Sequence, residues 1–117
     1  MGVFIYFIYM SKIYGVDLNA KITPTMVRDA IVSCFFIAHC EDTGMEEELD
    51  DVGLRKEYCQ TIVMEAFKKT GGDFSNPSKH DIEEALRYLA DFSQNFRNPS
   101  IIRKHSKAIM KLVDRLD

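Results

Sequence analysis

The sequence has no tryptophan, few glycines and prolines, and an odd number of cysteines. Its 117 residues include six glycines, three prolines and three cysteines. A β-sandwich or barrel needs many turns, so scarce turn residues favour helices. Cys34, Cys40 and Cys59 cannot all pair with one another, which argues against a disulfide framework. Two of them lie in strongly apolar stretches, where a thiol behaves as a small hydrophobic group. We therefore expect a reducing, cytoplasmic location.

The sequence also lacks a large net charge and an apolar run long enough to cross a membrane. The net charge of −3 is too small to indicate a nucleic acid or an acidic ligand by itself. The apolar run from Val3 to Met10 (VFIYFIYM) has eight residues, whereas a spanning helix needs about 20. No basic stretch precedes it and no small-residue cleavage site follows, so a signal peptide is not indicated. We predict no membrane partner.

Residues 3–10 admit two interpretations. They could form a strand or short helix that packs on the rest of the chain or on a second subunit. Alternatively, Met10-Ser11-Lys12 reads like the ordinary start of a cytoplasmic protein, and the preceding run would then reflect the choice of start site. We expect packing or pairing.

Four segments carry apolar residues at the spacing of a helix with one buried stripe, near residues 24–41, 52–69, 79–96 and 99–116. Asn98-Pro99 separates the last two so closely that we expect an antiparallel or sharply angled hairpin of helices. We predict an all-α fold, a small four-helix bundle of up-down or orthogonal form, with a short extra apolar element at its N-terminus.

A chain of this length is expected to form one domain. We assign residues 1–117 to a single helical domain, with an N-terminal apolar segment and linker over 1–20 and the bundle over 21–117. Two helix starts are marked by side chains that cap backbone N–H groups. Thr23 or Thr25 can serve as the N-cap of the first helix. Ser78 and Asp81 form a short capping box at the start of the third.

The first long helix is apolar around most of its circumference. Phe36, Ile37 and Cys40 widen its apolar stripe. A helix of this kind is buried on most sides, so it should be the central helix or a subunit contact. Together with residues 3–10 it offers more apolar surface than a four-helix monomer of this size readily buries. We therefore predict self-association, as a homodimer, through residues 3–10 and this helix.

Opposite charges concentrate in two parts of the chain. Residues 41–51 (EDTGMEEELDD) carry seven carboxylates and no cation, and residues 97–117 carry six cations and two acids. The acidic stretch could bind a divalent metal or a partner, or could cap the second helix and be solvated; its spacing does not fit a calcium loop. Lys104, Lys107 and Lys111 share a face of the last helix, but no nucleic-acid recognition motif accompanies them. Nucleic-acid binding is therefore an alternative that we do not favour.

Two acidic features have spacings used by metal-dependent phosphohydrolases of all-α fold. One is a pair of E-x-x-D steps in the acidic stretch, and the other is an HD dipeptide. The side chains of the adjacent Glu46, Glu47 and Glu48 would point to different sides of a helix and would not converge on one ion. The aspartate of the HD dipeptide, Asp81, lies in the first turn of its helix, where capping explains it. We predict no metal site, and the candidates that would form one are Glu47, Glu48, Asp50, Asp51, His80 and Asp81.

His105 falls on the apolar stripe of the last helix. A buried imidazole needs a hydrogen-bond partner, because an unsatisfied one costs about 1–3 kcal/mol. Cys59 or Tyr58 could approach it, and most such histidines are satisfied core or interface residues.

Nucleophile elbows, phosphate-binding glycine loops and dinucleotide fingerprints are absent from the sequence. We predict no catalytic residue and no cofactor. The favoured function is a non-enzymatic protein–protein interaction or regulatory module that acts as a homo-oligomer, with an unknown protein partner possible. The alternatives are a Mg²⁺- or Mn²⁺-dependent phosphohydrolase that uses acids near 47–51, and nucleic-acid binding through the basic face of the last helix.

Overall fold

The chain folds as four helices preceded by a small hairpin. The computed structural model describes residues 12–43, 52–92 and 98–116, and the predicted all-α four-helix bundle is confirmed. The elements, numbered in chain order, are β1 (Lys12–Ile13), β2 (Val16–Asp17), α1 (Pro24–Thr43), α2 (Val52–Lys69), α3 (Lys79–Phe92) and α4 (Pro99–Val113).

Each helix packs against the next one in sequence, and α4 closes the ring by packing on α1. α1 also contacts α3 and β2, so it is the central helix. This position explains why α1 is apolar around most of its circumference. The Lys79 ammonium donates to the carbonyl of Leu116 at 3.2 Å, which places the start of α3 beside the end of α4. These two helices therefore run antiparallel, as the short link between them predicts.

The N-terminal hairpin was not predicted from the sequence. Lys12 lies opposite Asp17 and Ile13 opposite Val16 in an antiparallel pair. Tyr14 and Gly15 form the two-residue connection, with φ values of 50° and 81°. Two consecutive positive φ angles define a type I′ turn, whose twist matches that of the strands. Part of the linker assigned to residues 1–20 is thus a hairpin against α1 and α4, whereas residues 3–10 lie outside the described residues.

Side-chain caps begin three of the helices. The Thr23 hydroxyl, one of the two predicted caps of α1, accepts the N–H of Met26 at 3.4 Å. In α3 the predicted capping box is complete, because the Ser78 hydroxyl accepts the N–H of Asp81 and the Asp81 carboxylate accepts the N–H of Ser78, both at 3.1 Å. The Asn98 amide oxygen caps α4.

Two helix ends differ from the predicted bounds. α1 continues to Thr43, two residues beyond the predicted end. α4 stops at Val113, because the N–H groups of Arg115 and Leu116 bond to carbonyls three residues back and form turns. The predicted end of α3 at residue 96 lies outside the described residues.

The connection from α2 to α3 is held by a left-handed glycine and by Arg28. Gly71 has a φ of 81°, and the N–H of Gly72 bonds to the carbonyl of Phe67 at 2.8 Å, the pattern of a Schellman C-cap. From α1, the Arg28 guanidinium donates to the carbonyls of Phe74 and Ser75 at 2.9 and 3.2 Å. It also lies 5.0 Å from the centre of the Phe74 ring. The connection between α2 and α3 is thus held to α2 by the C-cap and to α1 by Arg28.

The core lies where the inner faces of all four helices meet. Its largest fully buried side chains are aromatic and branched aliphatic. Phe35 of α1 packs against Phe92 of α3, and Phe67 of α2 meets Phe74 edge-on. The ten largest fully buried side chains are those of Phe35, Phe67, Ile31, Ile82, Ile109, Leu112, Val27, Val63, Val113 and Cys59.

Candidate functional site

Four polar side chains meet where the hairpin packs on α1 and α4. Tyr14 comes from the hairpin turn, Cys34 and Glu41 from α1, and His105 from α4. We refer to these four residues as the His105 cluster. They are far apart in sequence, and the hairpin brings Tyr14 against a helix that begins 85 residues later.

His105 is 8% exposed and both of its ring nitrogens are hydrogen-bonded. Nε2 lies 3.2 Å from Oε1 of Glu41. A carboxylate accepts, so this bond is donated by Nε2–H. Nδ1 is hydrogen-bonded to the Tyr14 hydroxyl. The imidazole is satisfied without a metal or a ligand.

Further groups lie at both ends of this hydrogen-bonded chain. Beside the Tyr14 hydroxyl lies the Cys34 thiol. At the other end, the Lys104 ammonium lies 3.5 Å from Oε2 of Glu41. Hydrogen bonds therefore link Tyr14, His105 and Glu41, and Cys34 lies beside the Tyr14 end.

Burial keeps the two acidic hydrogens of this chain in place at neutral pH. It raises the pKa of the Cys34 thiol to about 11, and the nearby charge of Glu41 raises it further, while the bond from Tyr14 opposes the rise. Burial also raises the pKa of Tyr14, with smaller increases from Cys34 and Glu41. A nucleophilic cysteine needs a lowered pKa. The His105 cluster therefore joins hairpin and helices and does not activate the thiol.

The hydrogen bonds of His105 go to residues that the sequence did not point to. Tyr58, one of the two residues that could have approached it, places its ring 5.9 Å from the ring of His39. The actual partners, Tyr14 and Glu41, are 91 and 64 residues away in sequence. Gly15 suits the second position of the turn, but tyrosine does not favour the positive φ of the first, and nothing local links that turn to His105.

The sequence-based metal candidates are not brought together within the described residues. His80 is exposed. The Asp81 carboxylate accepts the N–H groups of Ser78 and Asp73, which lowers its pKa. No group of three His, Cys, Asp or Glu side chains able to hold a metal occurs in the described ranges. The remaining candidates, Glu47, Glu48, Asp50 and Asp51, lie outside those ranges, so a role for the acidic stretch stays a prediction.

The other candidate site is a surface groove between α3 and α4. It is lined by Glu83, Leu86, Arg87, Ala90, Ser106 and Met110. We call it the α3/α4 groove. Its apolar side chains are accessible, since Met110 is 42% exposed and Ala90 is also exposed. Charged residues of both signs flank it.

The basic face predicted for the last helix is smaller than the sequence suggests. Lys104 is paired with Glu41, and the Arg115 guanidinium donates to the carbonyl of Leu18 at 2.6 Å. Arg103, Lys107 and Lys111 are exposed at a spacing of four residues. Those three cations form one stripe on the solvent-exposed side of α4, which we call the α4 stripe.

All three cysteines fall in the described ranges, and each is a buried thiol outside any disulfide. Among the described helices, none combines the length and hydrophobicity required to cross a lipid bilayer. Comparison of the chain with protein-family models, curated proteins and solved structures finds no match.

Proposed function

We propose that this protein is a non-enzymatic interaction or regulatory module that acts in the cytoplasm as a homo-oligomer. The observation that carries the proposal is the α3/α4 groove, where Met110 and Ala90 are exposed between charged residues of opposite sign. Apolar surface rimmed by charge is typical of protein–protein contacts. The chemistry of the His105 cluster supports the non-enzymatic part, because its thiol and phenol are held in their protonated forms.

The sequence predicts a different surface for self-association, formed by residues 3–10 and α1. α1 is the central helix, and its apolar surface is largely covered by the other elements. Ile37, at 39% exposed, is the exposed large hydrophobic residue of α1 within the described ranges. A second subunit would therefore find little further apolar area on α1.

Sedimentation equilibrium of the full chain tests the proposal. A homo-oligomer has an average mass that rises from 13.5 kDa towards a multiple of it as the protein concentration increases through the micromolar range. A mass of 13.5 kDa at all concentrations would reject the homo-oligomer.

Nucleic-acid binding by the α4 stripe is a second candidate, supported by the exposure of Arg103, Lys107 and Lys111. Phosphate contacts release counterions, so retention on a DNA or RNA column should fall steeply with salt. Three contacts correspond to a slope of about −3 in log affinity against log salt on duplex DNA. Salt-independent or absent retention would reject this candidate.

A further inference from the structure

The α3/α4 groove is apolar along its middle and electrically balanced at its edge. Leu86 and Ala90 of α3 and Met110 of α4 supply the apolar lining. The charged lining consists of Glu83 and Arg87, one acid and one cation, both on α3. Because the two charges cancel, the groove does not select a partner of either sign. It suits an uncharged, apolar occupant.

The N-terminal run of the chain has this character. Residues 3–10 (VFIYFIYM) are eight apolar residues without a charge. Contact of such a run with water is unfavourable, so the run gains free energy by packing on an apolar surface. The surface of α1 is largely covered by the other elements, whereas Met110 in the groove is 42% exposed. The groove therefore offers apolar surface that α1 does not.

The floor of the groove leads towards the core. Leu86 and Ser106 line both the groove and a small cavity that extends inward to Phe35 and Ile102. Side chains around such a gap lack neighbours on one side and lose dispersion contacts there. An apolar side chain that enters the groove therefore gains contacts beyond those of the surface.

The hairpin lies along the same part of α4 that lines the groove. β1 packs on α4, Tyr14 of the turn bonds to His105, and Arg115 donates to the chain just beyond β2. The hairpin therefore follows α4 between positions 105 and 115. Ser106 and Met110, the α4 residues of the groove, fall within this span. Hairpin and groove thus occupy two sides of one stretch of α4.

Residues 3–10 are long enough to pass from one side of α4 to the other, and one residue separates them from β1. Eight extended residues span up to about 26 Å, whereas half the circumference of a helix with its side chains is about 16–19 Å. The path crosses the α4 stripe, where the methylene stems of Lys107 and Lys111 offer apolar surface beneath their charges. Tyr58 and Met64 are also exposed, but they lie on α2, which packs on α1 and α3, on the side of the bundle away from the hairpin.

We propose that residues 3–10 occupy the α3/α4 groove of their own chain and compete there with a second subunit. The short tether raises the effective concentration of the segment at the groove to about the millimolar range. A second copy at micromolar concentration therefore binds when the segment is released. This inference rests on the proposed function, because the groove is the surface proposed for contact between subunits.

A single introduced tryptophan tests the proposal, because the chain has none of its own. Met110→Trp places the indole in the groove. Met64→Trp is the matched control on α2, since the two methionines are 42% and 44% exposed. Each is combined with the native segment and with a polar segment that carries Phe4→Ser, Ile5→Ser, Phe7→Ser and Ile8→Ser. Acrylamide quenching and the emission maximum are measured at nanomolar concentration, where two copies seldom meet.

The native segment should protect the tryptophan of Met110→Trp, and the polar segment should abolish that protection and shift its emission to longer wavelength. The tryptophan of Met64→Trp should be quenched equally with either segment. Phe4→Leu with Phe7→Leu keeps the segment apolar and should protect the groove as the native segment does. Circular dichroism of every variant checks that the helices are retained. In sedimentation, the polar segment should tighten self-association, because the groove is then open.

The outcomes separate this inference from the proposed function. Protection at Met110→Trp that disappears on dilution assigns the segment to a second copy and overturns the inference. Equal quenching with both segments, or an equal change at Met64→Trp, also overturns it, whether or not the wild type is an oligomer. A wild-type chain that is monomeric at all concentrations, with the groove tryptophan still protected, rejects the homo-oligomer and supports docking of the segment alone.

Discussion

At the scale of single residues, the His105 cluster shows how a titratable side chain is buried without an unpaired polar atom. The turn residue Tyr14 has a positive φ, a conformation that costs a non-glycine residue about 1–2 kcal/mol. Its hydroxyl bonds to His105 and its ring lies 5.8 Å from the imidazole. These contacts offset the backbone cost and fasten the hairpin to α1 and α4.

Removal of one oxygen atom should therefore destabilise the fold. In Tyr14→Phe, Nδ1 of His105 loses its hydrogen-bond partner inside the protein, so we expect the free energy of unfolding to fall by about 1–3 kcal/mol. Urea unfolding followed by circular dichroism measures the change. Tyr58→Phe removes the hydroxyl of an exposed tyrosine and should alter stability by less than about 0.5 kcal/mol. Equal effects of the two substitutions would show that the Tyr14 hydroxyl is not structurally important.

The raised pKa of Cys34 predicts a loss of stability in alkali. The thiol ionises with an ordinary pKa of 9.0 in the unfolded chain and with a pKa of about 11 in the folded one. Its contribution is thus fully present below pH 9.0 and is lost as the pH rises through about 11, with a total on the order of 2 kcal/mol. The difference in unfolding free energy between wild type and Cys34→Ala, measured against pH, reports the contribution of the thiol together with its coupling to Tyr14. A difference that stays constant across this range would mean that the thiol ionises equally easily in both states.

At the scale of secondary-structure elements, the best-defined boundaries are those with side-chain caps. The start of α3 and the loop before it share one carboxylate, because Asp81 accepts the N–H groups of both Ser78 and Asp73. A Cβ atom on Gly72 would lie 3.0 Å from the Cβ of Asp81, so the glycine allows this close approach. Sequence reasoning found the capping box but not the second role of Asp81 in the loop.

Loss of the Asp81 carboxylate should uncap α3. Asp81→Ala is expected to reduce the unfolding free energy at neutral pH by about 1 kcal/mol. Backbone hydrogen bonds from Ser78 and Asp73 lower the pKa of Asp81 below its ordinary 3.8. The stabilisation is therefore present above pH 3.8 and is lost as the pH falls through the lower folded value.

The difference between wild type and Asp81→Ala should accordingly shrink in acid. Unfolding free energies at neutral and acidic pH provide the comparison, with Glu65→Ala as the control on an exposed face of α2. If Asp81→Ala were as harmless as the control at neutral pH, the carboxylate would not be a cap.

At the scale of the whole molecule, the helices could be predicted because their information is local. Apolar residues at helical spacing and caps such as Asn98 lie within the segments that they define. The hairpin could not be predicted in this way, because strands of two residues carry no periodic pattern. The partners of His105 were missed for a related reason: they depend on how distant elements dock. The α3/α4 groove likewise combines residues of two helices, and only their antiparallel packing brings those residues together.

The dependence of the unfolding midpoint on protein concentration tests the central claim, self-association of the folded chain, most directly. Association stabilises the folded state by mass action, so the urea midpoint of the wild type should rise with each increase in concentration. A wild-type midpoint that is the same at every concentration would contradict the account.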